Sequence, residues 1–236
     1  MRSGSPERRL VDADRTMTEI IVFGASDLAE VVDYYLSHEA GHRVVAFTVD
    51  GEYMGPSNFL GRPVIAFEEL RTKHGPERYK MLIAIGYRRI NEIRAKKYRA
   101  AKTLGYQFIS LISERAAVAR NVVLGDNCIV LENNTIQPYA RIGADVVMLS
   151  GNLVSHHTTI GDHCFLAGGC VIGGRVTVGT RCFIGLNATV RNHMALGEGC
   201  VVGAGAVMLK HGVAGGVYRG QPASRLRRKS FSLDDL

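Results

Sequence analysis

Starting at Ile112 and stepping by six, the chain reads Ile112, Val118, Leu124, Val130, Ile136, Ile142, Met148, Val154, Ile160, Leu166, Ile172, Val178, Ile184, Val190, Leu196, Val202 and Met208. All seventeen are aliphatic or methionine, in a protein that is 46% hydrophobic overall. A strand alternates every second residue and a helix returns every three or four, so a strict period of six fits neither element alone. A slower period is nested inside it: Leu124-Gly125, Ile142-Gly143, Ile160-Gly161, Val178-Gly179 and Leu196-Gly197 recur every eighteen residues. Three hexads then form one coil of three short strands joined by tight turns, and coils stack at the usual strand spacing of about 4.8 Å. Residues eighteen apart lie over one another. The fold expected for residues 111–212 is a three-sided parallel β-helix with one buried aliphatic column per face.

The cysteines test this phase. Cys128, Cys164, Cys170, Cys182 and Cys200 all stand two residues before an aliphatic step, in register with Val122, Ala140, Val146, Val176, Ala188 and Ala206. Five thiols on one inward phase, with no C-x-x-C, argue for core packing against both a disulfide framework and a zinc cluster.

Residues 18–110 follow another rhythm. EIIVFGAS is a β-branched run ending in a tight turn, DLAEVVDYYLSH has helical spacing, RVVAFTVD and MLIAIGY are further strands, and a basic helix and YQFISLI follow. Alternating strands and helices predict a small Rossmann-like α/β domain with a parallel sheet, its ligands at the carboxyl ends of the strands, near Gly24, Asp50 and Gly86. The loop GASDLAE keeps one glycine of a G-x-G-x-x-G pattern, a weak dinucleotide signal beside which a non-binding docking domain stays open.

Residues 1–17 read as a polar, disordered extension, and 213–236 as a C-terminal strand and basic tail. No window carries the roughly 18 apolar residues of a membrane helix, and the N-terminus has no secretory h-region, so a cytoplasmic location is expected. The net charge of +7 is concentrated: residues 88–102 hold seven Lys or Arg, the tail from Arg219 holds five, and between Ile112 and Met208 six Arg balance six Asp or Glu. Without an accompanying aromatic-rich motif this reads as a solvated helix face, or help for an acidic small molecule, and not as a nucleic-acid site.

The hexads of form [LIV]-G-x-x-[small]-x, the front α/β domain, "IAIG" (83–86), "NEIR" (91–94), a turn histidine five residues before a glycine, and "RGQPASR" near the end carry a resemblance. From residue 18 to about 226 the chain resembles the left-handed β-helix sugar acetyltransferases of the bacillosamine, perosamine and sialic-acid type. The resemblance implies the left hand of the helix, since parallel crossovers are ordinarily right-handed. It also implies acetyl-CoA as acyl donor, a nucleotide-sugar acceptor held by the front domain, a homotrimer with sites between subunits, and a place in cell-surface polysaccharide synthesis.

Residue by residue, the resemblance makes His156, five before Gly161, the general base, with His157 where relatives often carry a supporting acidic residue. It makes the N–H of Gly174, one coil above His156, the donor to the thioester oxygen. Gly173, Gly174, Gly220 and Pro222 are the expected acetyl-CoA contacts, and Gly24, Ala25, Ser26, Asp50, Gly86 and Tyr87 the expected sugar-nucleotide contacts. The residues themselves agree in part: His156 shares its phase with Pro138, Gly174, Asn192 and Lys210, so its ring projects at a corner, and an imidazole titrating near 6.5 suits proton transfer at neutral pH. Glu132 and Asp162 are the acidic candidates for orienting it. The inward cysteines exclude an acyl-enzyme on sulfur. Three other readings stay open: two solvated turn histidines; a zinc enzyme of the β-helix carbonic anhydrase kind, using His157 and His193; and a non-catalytic trimeric scaffold.

Overall fold

The computed structural model describes residues 17–222, so most of the polar extension and the tail beyond Pro222 lie outside the described residues. In the front domain β1 (Glu19–Phe23), α1 (Asp27–His38), β2 (Arg43–Val49), β3 (Asn58–Phe59), β4 (Arg62–Ala66), the one-turn α2 (Leu70–Lys73), β5 (Lys80–Ile83) and α3 (Glu92–Thr103) follow in order. The sheet runs β3-β4-β2-β1-β5. Its strands are parallel except for β3, which returns antiparallel on β4. That hairpin corrects the all-parallel expectation. Leu60 and Gly61 both have positive φ, at 51° and 76°, the pair of left-handed residues a two-residue hairpin turn demands.

From Leu111–Ile112 onward the chain winds as a left-handed parallel β-helix of two-residue strands. The first face stacks Leu111–Ile112, Ile129–Val130, Val147–Met148, Phe165–Leu166, Phe183–Ile184, Val201–Val202 and Val217–Tyr218. The second face runs from Ala117–Val118 through Leu153–Val154 to Val207–Met208, and the third from Val123–Leu124 through Thr159–Ile160 to Ala195–Leu196. Ladder partners are eighteen residues apart throughout the regular coils, as Leu153 with Val171. The aliphatic column and all five cysteines fill the interior, with only Ile112, Val118 and Leu124 of the first coil partly open.

The corners show a second period of six. Asn127, Asn133, Tyr139, Asp145, Gly151, His157 and every sixth residue on to Gly205 have positive φ. One left-handed residue per corner reverses the chain, and Asn, Asp and Gly tolerate that conformation best.

The outward side chains Ile129, Val147, Phe165 and Phe183 of the first face pack against Ile20, Val22, Val32, Leu36 and Leu82 of the front domain. Polar contacts add the two edges bounding that face: Tyr35 donates to Glu132 on one, and Lys102 pairs with Asp126 at 2.8 Å on the other. Arg94, with no exposed surface, donates to Asp145 and to the carbonyls of Asp145, His163 and Cys164 at 2.8–3.2 Å. The basic run is therefore not one solvated face. Arg94 is buried on Asp145 and Lys102 pairs with Asp126 because α3 is laid against the β-helix edge, and Lys97 pairs with Asp50 within the front domain.

Candidate functional site

His156 and His157 occupy the turn between Leu153–Val154 and Thr159–Ile160, on the edge where the second and third faces meet. Both are exposed. The left-handed φ of 58° at His157 is that corner's share of the six-residue period, and its N–H donates to the Pro138 carbonyl at 3.2 Å. The ring stacks on Tyr139, one coil below, with centroids 4.7 Å apart. His156 is fixed by its N–H, which donates to Oε1 of Gln137 at 3.0 Å, and by its carbonyl, which accepts from the N–H of Arg175.

The two imidazoles meet at Nδ1, 3.1 Å apart, with ring planes at 85°. One nitrogen donates and the other accepts, so the pair permits one proton between them. Partial desolvation first, and then the charges of Arg175 and His156, push His157 below the ordinary histidine value. A neutral His157 accepting from His156 Nδ1–H leaves His156 Nε2 with its lone pair outward, where no described residue bonds it.

Gly174 lies directly above. A Cβ there would stand 2.8 Å from Cε1 and 2.9 Å from Nε2 of His156, so the imidazole itself fills the space a side chain would take. Its N–H is not open, contrary to the expectation: it donates to Oδ1 of Asn192, one further coil up, at 2.8 Å. Gly173 donates its N–H to Val190 within the ladder, and its carbonyl accepts from Oγ1 of Thr158. Gly220 packs on Ala204 and Ala206, and Pro222 is exposed at the end of the described chain.

Neither acidic candidate orients His156, because each sits on another edge. Glu132 accepts from Tyr35 and Ser150 where the first and second faces meet, and Asp162 caps the N–H of Ala144 at 2.7 Å where the third meets the first. Six residues are one side of the triangle, so candidates 24 residues before and 6 after His156 fall on different corners from it. The cysteines are spent in packing; burial pushes the Cys128 thiol up to about 12. His157 and His193 share a column, but Arg175 stands between them, and among the described residues no group of three or more His, Cys, Asp or Glu is arranged to hold a metal.

The front-domain residues converge where expected, at the carboxyl ends of β2, β1 and β5, which are neighbours in the sheet. Gly24, with φ of 127°, is pressed so closely on the Ala84 carbonyl that a Cβ would stand 2.6 Å from it. Ala25 and Ser26 are exposed beside it, and Ser26 starts α1 without a side-chain capping bond. Asp50 is held by Lys97, a partner not foreseen from the sequence, whose ammonium lies against the rings of Phe23 and Phe67. Gly86 faces open space, and Tyr87 lies against Phe165 and Phe183 with centroids 5.0 and 4.6 Å away. This cluster hangs over the first face. The histidine pair is on the opposite edge of the same prism.

The coils and the corner histidine define a hexapeptide-repeat β-helix protein. The family described as bacterial transferase hexapeptide (six repeats) matches residues 157–192, and the hexapeptide repeat of succinyl-transferase matches 175–210. In its two-domain architecture the chain is similar to hexapeptide-repeat sugar acetyltransferases of known structure. A mutant perosamine N-acetyltransferase from Caulobacter crescentus, solved with CoA and GDP-perosamine, superposes with a TM-score of 0.80 at 26% identity, covering 89% of this chain and 97% of that one. The acetyltransferase domain of PglB from Neisseria gonorrhoeae (TM-score 0.77, 24% identity, 88% and 99% covered) and WeeI from Acinetobacter baumannii (0.74, 24%, 89% and 100%) share the fold. No curated protein sequence matches the chain. No helix among the described residues is long and apolar enough to cross a membrane.

Proposed function

We propose that the protein transfers an acetyl group from acetyl-CoA to an amino, or alternatively a hydroxyl, group of a nucleotide-activated sugar, at sites shared between the subunits of a homotrimer. The observation that carries this reading is the His156–His157 pair at 3.1 Å beneath Gly174, with the Nε2 side of His156 unbonded. The perosamine enzyme from Caulobacter, bound to CoA and GDP-perosamine over nearly the same length, supports the substrate classes.

Acetyl-CoA supplies the acetyl group as a thioester. His156 Nε2 takes the proton that the acceptor amine or hydroxyl loses as its nitrogen or oxygen bonds the acyl carbon; the carbon–sulfur bond breaks with its electron pair on sulfur, and the thiolate takes the proton from His156 and leaves as free CoA. His157 accepts the Nδ1–H and keeps that tautomer in place. Gly174 N–H donates to Oδ1 of Asn192, and an acyl oxygen would have to take the place of that acceptor. Asn192 yields or shares that donor when the acyl group enters, so the negative charge developing on the acyl oxygen meets a fixed N–H.

A single chain does not bring its halves of the site together. The front domain covers the first face and its two bounding edges, and His156 stands on the third edge, across the prism. The outward column of the second face, Ala117, Thr135, Leu153, Val171, Thr189 and Val207, carries no charge, and Val171 and Val207 are exposed. Packing that face about a threefold axis parallel to the prism closes a ring and sets the His156 edge beside a neighbour's front domain. Rotation about such an axis preserves height. Tyr87 rests on Phe165 and Phe183, so along the prism axis its loop differs in height from the neighbour's His156 by only about one 4.8 Å coil.

The test is release of free CoA from acetyl-CoA with a panel of nucleotide sugars, beginning with GDP-perosamine and UDP-linked 4-amino sugars. Wild type turns over at least one of them. His156→Ala loses release by at least about a hundredfold, the low end for a general base, while keeping its fold and its binding of CoA. Undiminished turnover by that variant removes the assigned base, and no turnover of any acceptor by the wild type leaves the scaffold reading.

A further inference from the structure

Arg89, Ile90 and Asn91 have φ values of 51°, 51° and 62°. Nowhere else among the described residues does left-handed backbone run through three successive positions. The conformation is unfavourable for any residue with a side chain, and persists where the surroundings impose it. What imposes it here is specific. Asn91, fully buried, donates through Nδ2 to the carbonyls of Cys182 and Arg181 at 3.0 and 3.3 Å, and accepts at Oδ1 from Arg94 at 3.2 Å. Arg94 in turn reaches the carbonyls of Asp145, His163 and Cys164. Two side chains, three apart on the start of α3, thus grip the same edge of three successive coils.

The other end of the loop is tied as well. The N–H of Ile83, the last residue of β5, donates to Oδ1 of Asn127 at 2.8 Å, and Asn127 Nδ2 donates to Asp145, the carboxylate that Arg94 and His163 also hold. The segment 84–90 is therefore strung between two anchors on the β-helix. Between them Gly86 faces open space, Tyr87 lies on Phe165 and Phe183, and Arg88 and Arg89 are exposed. A helix cap alone does not require this arrangement: the Asn91 side chain makes no capping bond to α3, and its one bond within the helix is from the Arg94 guanidinium.

We propose that this clamped left-handed turn is a positioning device for the nucleotide sugar, with Asn91 and Arg94 as positioning residues that hold Gly86 and Tyr87 at a fixed level along the β-helix. The inference rests on the reading above that this loop meets the nucleotide sugar. The strain is the cost of a preformed site. A relaxed loop would have to be ordered by the substrate each time it bound, which weakens apparent affinity and leaves the chemical step untouched.

Ile90→Gly separates this from a purely structural role. Glycine adopts positive φ freely, Ile90 is 39% exposed, and the anchors at Asn91 and Asn127 stay in place. With GDP-perosamine, or the panel member turned over fastest, the expected result is a KM for the sugar nucleotide raised about fivefold, as for one loop ordered on binding. The KM for acetyl-CoA and kcat stay unchanged, and Tm is equal or higher. Asn91→Gly, which keeps the permitted φ and removes the anchor, raises the same KM. An unchanged KM in Ile90→Gly, whatever happens to Tm, overturns the proposal, as does a loss confined to kcat. Tyr87→Ala is the control: if it raises the KM while both glycine variants do not, only the clamp fails, and if it too is silent, the loop's contact with substrate fails with it.

Discussion

Because the Gly86–Tyr87 loop and the histidine edge lie on opposite sides of one prism, the proposed site requires that two variants, each inactive, restore activity when they share a trimer. The first is His156→Ala, which removes the proposed base at an exposed corner. The second is Gly86→Trp. A Cβ at Gly86 meets nothing within 4 Å and its φ is not left-handed, so a side chain starts there without strain, and an indole adds bulk where the sugar nucleotide is proposed to bind. In a closed ring each site takes its histidine from one protomer and its loop from the next. Every trimer that mixes the two variants then has one junction of three at which an intact histidine meets an intact loop, so about one third of the sites in mixed trimers regain both. Co-expression with two affinity tags, isolation of the mixed trimers and measurement of CoA release with a thiol reagent give the number directly. The homotrimers, mixed after purification, serve as the blank. Mixed trimers of verified composition that stay at the blank would refute the shared site and require each chain to build its own.

Three further predictions concern the site and its support. Arg175 is one cause of the lowered His157 titration, so Arg175→Gln raises that value; His157 then protonates at higher pH, ceases to accept from His156, and the acid limb of kcat/KM moves to higher pH, as a pH–rate profile will show. Asn192→Ala frees the Gly174 N–H, lowering the KM for acetyl-CoA with kcat retained; a large fall in kcat would mean that the Asn192 amide itself serves the reaction. Val154 is fully buried in the aliphatic column, and Val154→Asp should lower stability by about 3–5 kcal/mol in denaturant titration, the cost of an unpaired buried charge.

Much of the β-helix was legible because each of its strands is only two residues long. In so short a strand the inward position recurs at a fixed interval, and one column of the sequence maps onto one column of the core. The same arithmetic placed His156 under Gly174. It did not reveal that Asn134, Asn152 and Thr158 share the inward cysteine phase as buried polar residues, bonded to one another or to turn carbonyls. Nor was the left-handed corner phase read, though Asn127, Asn133, Asp145, Gly151, Gly169 and Asn187 mark it with residues that tolerate positive φ. In the front domain β1, α1, β2 and α3 stood out by period, while the β3–β4 hairpin, too short for a periodic signal, did not.

The sequence alone determined the repeat, the interior column and the vertical neighbours of the His156 corner, because those follow from counting residues along a regular coil. Only the tertiary structure decided which face carries the front domain, and hence which edge is left for the histidine pair. That choice depends on contacts between segments far apart in the chain, among them Arg94 with Asp145 and Tyr35 with Glu132. It also decided that the Gly174 donor is held by Asn192, since whether a polar group is free depends on every atom within reach of it and not on its place in the period.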